Sequence, residues 1–269
     1  MELTTKDFIR LKNFMYNNYG INLENKRTLI ETRLVLMVKR LGFSDFKTYI
    51  DSLMQDKSGE QVSVLVEKLT TNFTYFMRED MHYEFLKDEV LVPSLKKSPI
   101  GGLKIWSAAS STGEEPYCIA MLASSIFGKN SKSKVSITAS DISNSVLKQA
   151  KAGIYSQDKI SKLPQLWAKN FFQQVNDRNY VINENIKNLV EFKYFNLNNN
   201  IGWEKSKYHV IFCRNVMIYF DNPTNQKLAK RLYESLKPGG YLIIGMSESL
   251  SNLTTDFERV KPSVYRKKI

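Results

Sequence analysis

Polar and charged residues that could take part in chemistry follow short apolar runs in the second half of the chain. Residues 107–115, SAASSTGEE, come after the run LKIW, and Asp141 follows the run VSITAS. Arg214 and Asn215 follow the run VIFC. Ligands of parallel sheets bind where the strands end, so these residues are candidates for one site. An acidic residue after the second strand typically accepts ribose hydroxyls, although Asp141 could equally be the N-cap of the next helix.

The first of these turns favours a cationic ligand over a phosphate. Its small residues let the backbone turn tightly, but it lacks the GxGxxG pattern of a dinucleotide-binding loop. A pyrophosphate at the start of the next helix would meet the negative charges of Glu114 and Glu115, whereas an ammonium or sulfonium group would be attracted. This argues against NAD, FAD and ATP as ligands.

Two further strand ends complete the expected ligand site. The third parallel strand is predicted to end at Asn196 and Leu197, which suit the edge and the face of an adenine ring. Arg214 lies in an apolar run, where an arginine is unusual unless it is paired. A site for ribose, adenine and a cation, without phosphates, describes S-adenosylmethionine as the cofactor and S-adenosylhomocysteine as its product.

Residues 71–79, TNFTYFMRE, form another polar cluster, which precedes the apolar runs. The tripeptide NFT matches a glycosylation acceptor, but the chain starts without a secretory signal. Cys118 and Cys213 lie among apolar neighbours, look like reduced core thiols and cannot form a zinc site by themselves, so we expect no metal. We therefore expect a cytoplasmic protein. Taken alone, the nine residues favour a plain interdomain linker with Arg78 at its surface.

Two regions of different periodicity must position these residues. From residue 4 to about residue 78, apolar residues recur at helical spacing, which predicts a small all-α domain of four short helices. Gly20 is a predicted helix stop, and Ser44 is a plausible N-cap. After residue 102, short apolar runs alternate with helical stretches, which predicts βαβ units and a mostly parallel sheet. The runs FERV and SVYRKK at the end predict a hairpin.

One segment, residues of about 163–190, fits neither pattern. We interpret it as a small β insertion with a strand at NYVIN. The predicted organisation is therefore an N-terminal helical domain at 1–78 and an α/β domain at 79–269 that carries this insertion.

The charge balance indicates an acidic partner. The net charge is +12, with 39 basic and 27 acidic residues, which suits a nucleic acid, an anionic membrane surface or an acidic protein. A solvated basic surface without a dedicated partner is the alternative. The charges are scattered rather than gathered in one block, which weakens the nucleic-acid interpretation. No apolar run approaches the ~20 residues that span a bilayer, so we expect no membrane insertion.

Four segments, WSAASSTGEEPYCIAM, ASDIS, CRNVMIYF and TNFTYFMRE, resemble the signature segments of the chemotaxis receptor methyltransferases, the CheR family. The resemblance covers essentially the whole chain. It implies an all-α N-terminal domain, followed by a Rossmann-like class I methyltransferase domain with a small β-subdomain. It also implies methylation of glutamate side chains on chemoreceptor cytoplasmic domains, with S-adenosylmethionine as the methyl donor.

The resemblance also assigns the site residues. The cofactor site it implies consists of Asn72, Thr74, Arg78, Glu115, Asp141, Asn196, Leu197, Arg214 and Asn215. Arg78 and Tyr219 take the catalytic roles, since an arginine offsets the cost of desolvating a carboxylate and a tyrosine orients it. The aromatics Phe73, Tyr75 and Phe76 are expected to wedge their segment onto the sheet. A glutamate has a pKa of ~4.3, so it is already an anion and requires in-line positioning rather than a general base.

The helix predicted at NKRTLIETRLVLMVKRLG carries a basic stripe, Lys26, Arg33 and Arg40, at a spacing of seven residues. An apolar face lies beside it, formed by Ile30, Leu34, Met37 and Leu41. By itself this pattern indicates the solvated flank of a core helix. Because the family implies a glutamate-rich helical bundle as substrate, the basic stripe is our candidate for substrate binding. A receptor C-terminal peptide could pair with the strand NYVIN as an edge strand, and we expect a monomer.

Three other function classes remain to be weighed. A methyltransferase for nucleic-acid bases usually has an Asn/Asp-Pro-Pro-aromatic segment, and RNVMIY at 214–219 contains no proline. A non-catalytic cofactor-sensing adaptor does not need Arg78 and Tyr219, which are both present. A dehydrogenase is disfavoured by Glu114 and Glu115.

Overall fold

The computed structural model describes residues 1–56, 58–70, 73–97 and 99–269. Its first four helices are α1 (Thr5–Tyr19), α2 (Arg27–Arg40), α3 (Phe46–Gln55) and α4 (Glu60–Leu69), as predicted. Gly20 ends α1 with a φ of 71°, in the left-handed region that favours glycine. The predicted N-cap at Ser44 is wrong by one residue. Asp45 caps α3, because its extended backbone lets its carboxylate accept the N–H of Thr48 at 2.8 Å.

The four helices enclose a core of their own, to which α2 contributes Ile30, Leu34, Met37 and Val38. Leu41 was predicted on the same face, and this prediction is wrong. The helix ends at Arg40 and the chain turns away, which leaves Leu41 49 % exposed.

The second part of the chain alternates strands and helices. Its elements are α5 (Met81–Leu86), a π-helical turn (Lys87–Leu91), α6 (Val92–Lys96), β1 (Leu103–Ala108), α7 (Glu114–Phe127), a 3-10 turn (Gly128–Asn130), α8 (Ser131–Lys134), β2 (Val135–Asp141), α9 (Asn144–Ala152), β3 (Ile154–Ser156), α10 (Gln157–Ile160), α11 (Gln165–Phe171), β4 (Phe172–Asn176), β5 (Asn179–Ile182), α12 (Glu184–Lys187), β6 (Val190–Tyr194), β7 (Tyr208–Cys213), a 3-10 turn (Met217–Tyr219), α13 (Asn222–Ser235), β8 (Leu236–Ile244), β9 (Glu258–Lys261) and β10 (Val264–Arg266).

Seven strands form the central sheet in the order β6-β2-β1-β7-β8-β10-β9. The first five strands of this order are parallel, whereas β10 and β9 are antiparallel and form the predicted hairpin. The chain winds outward from β1 in both directions, so the carboxyl ends of β1, β2, β6 and β7 meet at one edge of the sheet. The predicted α/β fold is confirmed. Cys118 and Cys213 are buried free thiols in this domain.

A separate antiparallel sheet of three strands, in the order β3-β5-β4, projects from the central domain. It starts at Ile154, directly after α9, so the predicted start of the insertion near residue 163 is too late. The segment NYVIN contains β5, and the prediction that it is an edge strand is wrong. A tight turn pairs β4 with one side of β5 and β3 returns along the other, which makes β4 and β3 the edges.

The helical domain is joined to the α/β domain by specific contacts. Ile21 forms an isolated antiparallel bridge with Phe220, and the N–H of Asn22 donates to the carbonyl of Tyr219 at 2.9 Å. A second contact joins α4 to the start of α9, where the hydroxyl oxygens of Ser63 and Ser143 lie 2.7 Å apart. The two domains therefore share a polar and backbone-bonded junction. Within the described parts of the chain, no helix is long and apolar enough to cross a membrane.

Candidate active site

A cleft lies at the carboxyl edge of the central sheet, where ligands of parallel sheets bind. The helical domain supplies part of its wall through Tyr19, Ile21, Val66 and Thr70. The cleft brings together nearly all of the predicted site residues: Thr74, Arg78, Glu115, Asp141, Asn196, Leu197, Arg214, Asn215 and Tyr219. Asn72 lies outside the described residues.

Asp141 lines the cleft at the end of β2, where its carboxylate is held by two main-chain groups. One oxygen accepts the N–H of Ser111 at 2.8 Å, and the other accepts the N–H of Ser143 at 3.0 Å. Burial raises the pKa of Asp141, and these N–H donors partly oppose the rise. The N-cap of α9 is Ser143, whose hydroxyl accepts the N–H of Val146, so the alternative role of Asp141 as a helix cap is excluded. Each oxygen keeps a further lone pair for hydroxyl donors.

Arg214 is 6 % exposed, and its side chain connects the start of α7 with the segment that carries Arg78. Its guanidinium forms ion pairs with Glu115 at 2.8 Å and with Glu79 at 3.1 Å, and it donates to the carbonyl of Arg78. The expectation that a buried arginine here must be paired is confirmed. Most of its hydrogen-bonding capacity therefore serves to hold the surrounding turns in place.

The two glutamates at the start of α7 have different environments. Glu115 lines the cleft, accepts the Ser107 hydroxyl at 2.7 Å and pairs with Arg214. Glu114 is fully buried and pairs with Lys159 from α10, because the helix turns its side chain toward the small sheet. The expectation that both glutamates face a ligand is therefore wrong. Of these two glutamates, Glu115 is the one that lines the cleft.

The segment that carries Arg78 is anchored in the core by one aromatic side chain and exposes another. Phe76 is buried against Tyr155, with ring centres 4.9 Å apart, whereas Phe73 is 61 % exposed. Only one of the three aromatics therefore wedges the segment in the predicted manner. The Arg78 guanidinium donates to the carbonyl of Phe73 at 2.6 Å. Met77 and Glu79, on either side of Arg78, have φ values of 61° and 55°, a strained conformation that often accompanies functional sites.

Tyr219 and Asn215 belong to a turn that is held by Glu248. The Glu248 carboxylate accepts the N–H groups of Asn215, Met217 and Gly245 at 2.7–2.8 Å. Asn215 adopts a φ of 57°, which this turn imposes. Glu248 and Glu79 were not predicted as site residues, although Glu79 ends the segment TNFTYFMRE and Glu248 follows an apolar run.

Asn196 and Leu197 lie beyond the end of β6, which stops at Tyr194 rather than at the predicted position. The Asn196 side-chain amide donates to the carbonyl of Asn18 at 2.8 Å, and its oxygen accepts the N–H of Asn198 at 2.9 Å. Both the N–H and the oxygen of this side-chain amide therefore already have partners within the protein. A hydrogen bond from Asn196 to an adenine edge would have to use the second N–H or the second lone pair of the oxygen.

The basic stripe begins beside the cleft. Lys26 immediately precedes α2, and its Nζ atom lies 5.8 Å from the centre of the Tyr219 ring. Arg33 and Arg40 are exposed farther along the helix, and Arg33 donates to the carbonyl of Lys68 at 3.2 Å. The stripe thus leads from the cleft along the surface of the helical domain.

Comparison with known protein families matches both halves of the chain. The model of the CheR methyltransferase all-alpha domain matches residues 6–70, and that of the CheR methyltransferase SAM binding domain matches residues 72–266. The chain belongs to the CheR methyltransferase family. Its cofactor is S-adenosylmethionine, and it has the chemotaxis protein methyltransferase function of this family.

Curated relatives agree with this assignment over nearly their full length. The chain is 40 % identical to a chemotaxis protein methyltransferase of Borreliella burgdorferi, over 99 % of this chain and 96 % of that protein. It is 35 % identical to chemotaxis protein methyltransferase 2 of Vibrio cholerae, over 95 % and 89 % respectively. It is 34 % identical to a chemotaxis protein methyltransferase of Escherichia coli, over 98 % and 92 %.

The residues of the cleft fit this cofactor. The carboxylate of Asp141 has lone pairs available for two ribose hydroxyls, and the carboxylate of Glu115, which is paired with Arg214, also lines the cleft. The apolar side chains of Ile142, Phe195 and Leu197 also line the cleft and suit the faces of an adenine ring.

Proposed function

We propose that this member of the family methylates glutamate side chains on the cytoplasmic helices of chemoreceptors. The observation that carries the proposal is a cleft that combines a cofactor site with the guanidinium of Arg78 and the ring of Tyr219. Bound S-adenosylmethionine supplies the methyl group. The side chains of the cleft have to bind an anionic nucleophile, orient it and keep water away.

No histidine among the described residues lines the cleft, which agrees with a carboxylate substrate. The chain has two histidines, His82 and His209, and neither lines the cleft. Burial lowers the pKa of each to about 4, so both rings are neutral near pH 7. A carboxylate needs no proton removed before it attacks, whereas an amine or an alcohol would. Arg78 offsets the desolvation of the carboxylate, and the Tyr219 hydroxyl orients the attacking oxygen for in-line transfer.

The basic stripe is the proposed receptor surface. A seven-residue spacing repeats along one side of a helix, so the stripe can follow an acidic helix of a receptor bundle. Lys26, at one end of the stripe, lies next to Tyr219, which connects this surface to the catalytic residues. The alternative, a solvated flank, gives no reason for this connection.

A receptor C-terminal peptide is a second proposed contact, at the small sheet. Since β5 is central, the peptide would pair with an outer strand, and β4 is the candidate because its residues after Phe172 are exposed. Deleting this hairpin should leave cofactor affinity unchanged in a folded protein, as measured by calorimetry.

Incubation with labelled S-adenosylmethionine and purified receptor cytoplasmic fragments tests the function. We expect label that is released by mild base, as for a methyl ester, and that maps to glutamates by mass spectrometry. A matched fragment with these glutamates changed to Gln should take up no label. Base-stable label, label on nucleic acid, or the absence of turnover with every fragment would contradict the proposal.

A further inference from the structure

A lysine of the small-sheet unit lies against an aromatic ring of the cleft. The Nζ atom of Lys162 is 4.8 Å from the centre of the Tyr75 ring, and Tyr75 lines the cleft. Lys162 is exposed and forms no ion pair with any described residue. Its neighbour Leu163 is 6 % exposed in the core, so the backbone that carries the lysine is anchored.

A nearby lysine shows the contrast. Lys159, one helical turn earlier, lies 5.7 Å from the Tyr155 ring but pairs with the buried carboxylate of Glu114. Its charge is neutralised within the fold. Lys162 has no carboxylate partner among the described residues, and its ammonium lies on the Tyr75 ring beside the cleft, where a ligand can reach it.

Phe73 extends this surface toward Arg78. Its ring centre lies 5.5 Å from that of Tyr75, and its carbonyl accepts the Arg78 guanidinium at 2.6 Å. The Phe73 side chain is 61 % exposed and lines the cleft, so a bound chain can reach it. Phe73, Tyr75 and Lys162 thus form a wall, here called the outer wall, next to the predicted catalytic arginine.

We propose that the outer wall binds the residues that flank the methylated side chain and selects targets with an acidic neighbour. This inference rests on the proposed function. Residues three or four apart on a substrate helix lie side by side, so a target carboxylate at Arg78 brings a neighbouring carboxylate close to Lys162. Phe73 then packs against the apolar stem of that neighbour. The occupant is an acidic helix, because both Lys162 and Lys26 present positive charge beside rings that line the cleft.

A charge exchange between enzyme and substrate tests the outer wall. The probe is a chemoreceptor cytoplasmic fragment that the wild-type enzyme methylates, here the parent fragment. In two variants of it, the acidic residues within one turn of the labelled site are all changed to Gln (the Gln fragment) or all changed to Lys (the Lys fragment). We expect the wild-type kcat/KM to fall about fivefold on the Gln fragment, since an exposed ion pair has a modest effect. The Lys162→Glu variant should show a similar fall in kcat/KM on the parent fragment. On the Lys fragment its kcat/KM should return to most of the wild-type value.

Lys169→Glu is the matched control, because Lys169 is exposed on the same unit and changes the net charge equally. It should behave as wild type on all three fragments, and the affinity of both variants for S-adenosylhomocysteine should be unchanged. Equal rates for Lys162→Glu and wild type on the parent fragment would overturn the inference, as would a defect that the Lys fragment does not repair. If the wild-type enzyme labelled no fragment at all, the proposed function itself would be wrong.

Discussion

Asp141 illustrates how the surroundings of a single side chain determine what it can do. The sequence left two roles open, and the hydrogen bond of Ser143 to the helix removed one of them. The carboxylate is held by main-chain N–H groups rather than by a basic side chain. Its ionisation is therefore sensitive to pH.

We expect the affinity for S-adenosylhomocysteine to fall when the pH is lowered from 8 toward 5. The carboxylate is the form that accepts hydroxyls, and burial raises the Asp141 pKa above the ordinary ~3.9, so protonation begins at a higher pH than usual. Asp141→Asn should lose about 1–3 kcal/mol of binding free energy near pH 8 and should show a flatter pH profile. Isothermal calorimetry across this range measures both. An Asn variant with wild-type affinity would rule out the ribose role.

Arg78→Ala should reduce kcat about 100-fold, because it removes the charge that we propose to stabilise the desolvated carboxylate. Arg78→Lys should restore only part of the rate, since a lysine cannot keep a planar fork on both the Phe73 carbonyl and a carboxylate. Tyr219→Phe should show a milder defect. Single-turnover rates with a receptor fragment, together with thermal unfolding of each variant, check these expectations. Near-normal turnover of Arg78→Ala would contradict the role.

Strand-end residues were predictable from the sequence, whereas their supports were not. Asp141 and Arg214 follow apolar runs, and parallel strands bring such positions to one edge. Glu79 and Glu248 act through long-range contacts, over separations of 135 and 33 residues to Arg214 and Asn215. No local pattern records such a contact. The misassignment of Glu114 has the same cause, since its partner Lys159 belongs to a different unit.

At the scale of an element, the turn at residues 214–219 depends on one carboxylate. Glu248 receives N–H groups from Asn215, Met217 and Gly245, so it acts as a cap for the short 3-10 turn that ends at Tyr219. Gly245 must stay small, because a Cβ atom there would approach the Asn215 amide at 2.5 Å. The backbone of the turn that carries Tyr219 is thus held by a residue that follows the neighbouring strand β8.

Glu248→Gln should lower kcat about tenfold and reduce the effect of a second change at Tyr219. A Gln amide replaces one acceptor oxygen with N–H donors, which leaves at least one main-chain N–H of the turn without its partner. If Glu248 acts by positioning Tyr219, then Tyr219→Phe should cost much less in the Glu248→Gln background than in wild type. Independent, multiplicative defects in this double-mutant cycle would exclude a positioning role. Glu258→Gln, on the exposed strand β9, is the control.

Elements with a strong period were predicted, and short ones were not. The four helices of the first domain have at least ten residues each and repeat apolar residues at helical spacing, which makes their pattern clear. Strand β3 has only three residues and directly follows α9, so it carries too little alternation to recognise. The strand pairing of the small sheet depends on contacts across the chain, which explains why β5 was taken for an edge.

At the scale of the whole molecule, the excess positive charge should act mainly on association. Changing both Arg33 and Arg40 to Glu should lower the rate of association with a receptor fragment, because the proposed docking surface loses its steering charge. The difference from wild type should shrink as salt is raised, since screening acts on exposed charges. Stopped-flow or surface-based kinetics between 50 and 500 mM salt, as an approximate range, would measure this effect.

The control for this pair is Lys129→Glu with Lys132→Glu. These exposed lysines lie before β2, at the amino edge of the sheet, and give the same change in net charge. The control should retain the wild-type association rate. Equal slowing of both double variants would mean that overall charge, and not the basic stripe, governs encounter.

The junction between the domains has a consequence for how this protein can be divided. Ile21 bridges to Phe220, and Tyr19, Val66 and Thr70 complete the cleft wall. A gene fragment that encoded only residues 72–266 would therefore produce a binding site with one side missing. The helical domain cannot be exchanged like an independent module, and shuffling between relatives should succeed only when both halves are transferred together.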